Sequence, residues 1–141
     1  MISLRKKVKK EERNIFQRQG VVMSFQEEIA KLAQEGTIGV VWLVGDDLKV
    51  YYTYGEWAVD PLIPFNAWKN QQPAVDFGGG LKFTVIDITP ERLISTNLGG
   101  QGHLIVARCP KWPGCVITWS PSNVAKDYAY ASAARLAGKV Q

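Results

Sequence analysis

Apolar residues at Phe25, Ile29, Leu32 and Ala33 in SFQEEIAKLAQEG repeat at helical spacing and predict an amphipathic helix. Ser24 suits its N-cap, Glu27 and Glu28 its first turn, and Gly36 its end. The next stretch, TIGVVWLVGDDLKVYYTYGEW, holds two strand-length runs on either side of Gly45-Asp46-Asp47 and predicts a β-hairpin. Its first strand is apolar on both alternating sets, Ile38, Val40, Trp42 and Val44 but also Val41 and Leu43. An antiparallel strand of that kind must be central and covered on both faces. Residues 56–77 are mixed, and their prolines leave room for one short helix near 62–71. Four more strands follow as LKFTVIDI, RLISTNL, HLIVARC and CVITWS, joined by short connectors. Ser120-Pro121 then suits the start of a last helix with a stripe of Ala125, Ala129, Ala133, Leu136 and Val140. The predicted order is α-ββ-α-ββββ-α. This is an α+β fold with an antiparallel five- to six-stranded sheet, the terminal helices on one face and the middle helix on the other.

Charge separates the chain into two parts. Residues 1–20 hold seven Lys/Arg against two Asp/Glu, whereas the rest is nearly neutral, so the formal net charge of +4 arises in the tail. Met23 stands immediately before the first helix. Residues 1–22 are therefore expected to be a basic extension, disordered or non-native, with weak contact to anions as its available role. Residues 23–141 are expected to form a single domain. No apolar run approaches the roughly 18–20 residues of a membrane-spanning helix, and no secretory signal is present, so a cytoplasmic location is expected.

The glycine-rich stretch NLGGQGH invites a phosphate-loop reading and fails it. Ile105 stands where a dinucleotide fingerprint needs glycine, and a strand follows rather than a helix. A hairpin turn is the expectation. His103 is the only histidine, which excludes a two-histidine metal site; no metal or cofactor is expected. Cys109 and Cys115 flank PKWPG and could face each other across a hairpin, as reduced thiols, a disulfide or a redox pair. His103 and Cys109 would be roughly 20 Å apart on one extended strand, and no catalytic residue is assigned. The expectation is a non-enzymatic protein.

Aromatic residues are the unusual feature, with five Trp, five Tyr and five Phe. Trp112, at a loop tip between prolines, is expected to be exposed. Tyr54, Trp57, Phe65, Trp68 and Trp112 are the candidate partner-binding residues of an interaction module or scaffold subunit, acting as a homodimer or on another protein. The alternative is a small-molecule or peptide pocket between the terminal helices and the sheet around Phe25, Tyr51 and Tyr128.

Several ordered segments resemble those of profilins, whose fold is shared in outline with the roadblock family. SFQEEIAKL resembles their opening helix, VGDDLKVYY their glycine-containing hairpin, and GGGLKFTVI and GGQGHLIVAR their later glycine turns. The resemblance spans nearly all of residues 23–141 and implies a non-catalytic binding protein, of this type or of a small prokaryotic family with the same architecture. It places Phe25 and Tyr51 at two aromatic positions of the profilin proline-peptide site, with Glu28 and Lys139 where tyrosines would stand. STNLGGQG lacks the basic residues that profilins carry beside this turn, which points away from actin.

Overall fold

A computed structural model describes residues 21–141, so the expectation for the basic segment 1–20 lies outside the described residues. The first helix, α1 (Val21–Gln34), starts two residues before the boundary expected at Met23, and Ser24 is inside it rather than at its cap. Gly36 ends it as expected. Its φ of +78° lets the Gly36 and Thr37 N–H groups donate to the carbonyls of Ala33 and Leu32.

Strands β1 (Val40–Gly45) and β2 (Val50–Tyr54) form the predicted hairpin, and α2 (Leu62–Lys69) is the predicted short helix. The sheet then has one strand more than expected. β3 (Ala74–Gly78) pairs with β4 (Leu81–Thr89), Val75 opposite Phe83, and is followed by β5 (Arg92–Thr96), β6 (His103–Arg108) and β7 (Gly114–Ser120). Seven strands therefore replace the expected five or six, in the order β2-β1-β7-β6-β5-β4-β3. β3 lay hidden in the segment read as mixed, because a five-residue edge strand carries little pattern. The last helix, α3 (Lys126–Gly138), begins later than Ser120-Pro121 suggested. Ser120 pairs with His103 in the sheet, and sheet pairing prevails over its capping tendency.

Both faces of the centre are covered. β1 is buried along its whole length between β2 and β7. On one side α1 and α3 supply Phe25, Ile29, Leu32, Ala129, Ala133 and Leu136 to a core with Val41, Leu43, Ile105 and Val116. On the other, α2 lays Phe65 and Trp68 over Val40, Trp42, Val44, Leu104, Val106 and Ile117. Each large apolar side chain buried in this way contributes about 1.5–3 kcal/mol. Among the described residues no helix is long and apolar enough to cross a membrane.

Candidate functional site

Strand pairing assigns residues to faces. Ala107 and Ile105, which belong to the core beneath the terminal helices, pair with Arg92 and Ile94, so Arg92, Ile94 and Thr96 share that side. Thr84, Asp87 and Thr89 of β4 pair with these three, and on β3 Ala74 pairs with Thr84 and Asp76 with Lys82. The helices stop short of this area: α3 packs on β6 and β7, and α2 lies against the reverse side. Half of one sheet face is thus open to solvent. A bulge between Val85 and Asp87 leaves Ile86 as the extra residue, 53% exposed among polar neighbours.

The charges on this face are fixed in place. Arg92 donates through Nε to Asp87 Oδ2, and its guanidinium lies 5.2 Å from the centre of the Tyr130 ring of α3. Its hydrogen bond to Asp87, then the one to Tyr130, holds Arg92 above its ordinary pKa. Asn97 ties the glycine turn to β4 by donating to the Lys82 carbonyl, while its Oδ1 accepts from the N–H groups of Gly99 and Gln101. NLGGQGH is the expected turn, with Gly100 and Gly102 at positive φ. His103 borders the open face. Its Nε2 lies 2.8 Å from the Val124 carbonyl, which can only accept, so Nε2 carries the proton and Nδ1 accepts from Thr96 Oγ1 at 3.0 Å. The imidazole pins the loop before α3 to the sheet.

The structure scatters the five residues expected to form a partner surface. Phe65 and Trp68, on the inward side of α2, are 2% and 1% exposed, so neither can carry a contact. Trp68 instead donates its indole N–H to the Thr89 carbonyl, with Lys69 and Arg108 over its ring. Trp112 is half-buried, not exposed, because its ring packs edge-on against Tyr51 at 5.1 Å. Tyr54 is exposed on edge strand β2, whereas Trp57 belongs with the opposite core.

The alternative pocket is filled. Phe25 is wholly buried against Tyr52, and Tyr51 is held by Trp112 and by a hydrogen bond to Asp47 Oδ2. Tyr128 stays exposed at the start of α3. Glu28 and Lys139, where the resemblance has tyrosines, link the terminal helices: Arg135 donates to Glu28, and Lys139 Nζ to Ser24 Oγ.

Cys109 and Cys115 are free and buried. Cys115 pairs with Arg108, one position away from Cys109, so the thiols belong to different cores on opposite faces of the sheet. Of the three readings left open, that offset argues against a disulfide or redox pair and agrees with reduced thiols. Burial pushes Cys109 up to about 12 and Cys115 well above its ordinary value. The open half-face itself had a partial signal: Lys82 and Thr84 are the polar members of the alternating run LKFTV, whereas RLIST does not alternate.

No family model matches the chain. It is 40% identical over 120 residues to Heimdall profilin from Heimdallarchaeota archaeon (strain LC_2), an alignment covering 84% of this chain and 99% of that protein. Among solved structures it is similar to LokiProfilin1 in complex with rabbit actin, with a TM-score of 0.67 and 21% identity over 83% of this chain and 93% of that one. LokiProfilin2, also solved with rabbit actin, gives 0.66 and 20% over 87% and 94%. These similarities lend no support to the expected roadblock likeness or homodimer. The identity to Heimdall profilin runs along almost the whole of that protein, and the fold agrees with it: this chain belongs to the profilin family.

Proposed function

We propose that the chain is a non-enzymatic actin-binding protein of the cytoplasm, and that actin docks on the open half-face of β3, β4 and β5. The observation that carries the reading is this face itself, a surface that α3 only borders through Tyr130, in a profilin with Ile86 raised at its centre. An exposed apolar residue inside a ring of polar side chains is the usual anatomy of a protein contact. The two Loki profilins whose folds it matches were each solved on rabbit actin. STNLGGQG itself lacks basic residues, but Lys82 and Arg92 stand on the adjacent strands of the same face, Arg92 paired with Asp87.

The test is binding of the purified chain to monomeric actin by thermophoresis. Wild type is expected to bind, and Ile86→Glu to weaken binding by at least about tenfold with an unchanged melting temperature. Tyr54→Ser, on the far edge strand, should bind like wild type. An Ile86→Glu variant with unaltered affinity removes this face from the reading, and a wild type that ignores actin removes actin.

A further inference from the structure

A cavity of about 290 Å³ opens on the reverse side of the sheet from Ile86, lined by Gly39, Val40, Glu56, Trp57, Leu81, Gln101 and Trp119. Its two aromatic walls are rigid. Trp57 stacks on Trp42 with centroids 5.7 Å apart and planes 10° from parallel, and also meets Phe77 and Phe83. Trp119 lies 6.3 Å from Trp57 at 58°, its indole N–H donating to the Gln101 carbonyl.

Three glycines make this arrangement possible. A Cβ on Gly39 would meet the Trp119 ring at 2.9 Å, and one on Gly102 would meet the Trp119 indole nitrogen at 2.5 Å. A Cβ on Gly55 would collide with the Gly39 carbonyl, so that glycine lets the segment bearing Glu56 and Trp57 close onto β1. The cavity therefore has preformed walls rather than being a gap between mobile side chains.

Its chemistry suits a cation. Two indoles line it, Trp57 with one face already stacked on Trp42, and Glu56, exposed at the wall, has no cationic partner among the described residues. The volume is at the small end of ligand pockets, enough for one extended side chain but not for a helix. A guanidinium suits it better than an ammonium, since its plane stacks on an indole while its edge donates to a carboxylate. We propose that this cavity receives an arginine side chain from an extended segment of a protein partner, with Trp57 and Trp119 as the stacking walls and Glu56 as the counter-charge. The site lies on the other side of the sheet from the proposed actin face, so it does not depend on that reading and both can be filled together.

The experiment uses the full chain labelled with nitrogen-15 and a blocked Gly-Gly-Arg-Gly-Gly peptide, against the same peptide with neutral citrulline in place of arginine. The arginine peptide is expected to shift the indole N–H signals of Trp57 and Trp119, and the citrulline peptide to bind about tenfold more weakly. Glu56→Gln should abolish the difference between the two peptides while leaving the melting temperature unchanged. Equal responses to both peptides, or indole shifts at Trp68 and Trp112 instead, overturn the proposal. The peptide comparison on wild type stands by itself if Glu56→Gln fails to fold.

Discussion

Gly102 leaves the space that Trp119 fills: its missing Cβ would stand 2.5 Å from both the indole nitrogen and the Ser120 carbonyl. Its φ of +106° is also closed to ordinary side chains. Gly102→Ala should therefore cost at least about 2 kcal/mol in urea unfolding, more than a surface glycine change would. Gly100→Ala meets nothing within 4 Å, has only its φ of +85° to overcome, and should cost less.

The opposed burial of the cysteines sets their reactivity. With Cys109 raised to about 12 and Cys115 well above its ordinary value, neither is a thiolate near neutrality. Native protein at pH 8 should resist alkylation by iodoacetamide for as long as it stays folded, and both thiols should react in denaturant. Fast labelling of the folded chain would mean that one of the two cores opens readily.

Tyr52 gives the fold an alkaline limit. Burial, the largest cause, raises it from 10.0 to about 12. Between these values the unfolded chain has released a proton that the native state still holds, so stability is complete below pH 10 and declines as the pH rises toward 12. Tyr52→Phe keeps the ring beside Phe25, 5.4 Å away, and should flatten that decline when urea midpoints at pH 8 and pH 11 are compared.

His103 offers a third check on stability. His103→Ala removes the donor to Val124 and the acceptor for Thr96, with an expected cost of about 1–3 kcal/mol. Amide exchange should quicken first around residues 124–127, where the imidazole holds the loop to the sheet.

The central elements were legible because burial on both faces leaves a run such as VVWLV with no polar break, and Gly36 stops a helix by a local rule. β3 was not legible. Val75 and Phe77 are its only large apolar residues, and Pro73 immediately before it reads as the end of a helix. Ser120-Pro121 misled for the opposite reason: the local capping signal is sound, but β7 already uses Ser120 opposite His103, a partner 17 positions away. The aromatic surface failed on the same ground. Sequence reveals that Trp57, Phe65, Trp68 and Trp112 exist, but whether each meets solvent depends on neighbours brought in from distant strands. Nor could spacing alone show that Gly39, Gly55 and Gly102 make room for the walls of one cavity.

β1 is joined to β7 over its whole length, from Val40 opposite Trp119 to Gly45 opposite Gly114. The first hairpin thus waits for the last strand before it acquires a neighbour, and an isolated two-stranded hairpin is marginal in water. Loop closure over some seventy residues makes this the slow, entropically demanding step of folding. On the ribosome, β3 to β6 can assemble as a meander while β1 and β2 remain unattached, and the two cores close only once β7 has emerged. A nascent chain arrested before residue 114 would expose the apolar edge of VVWLVG, which makes completion of synthesis, rather than any single contact, the event that commits this protein to its fold.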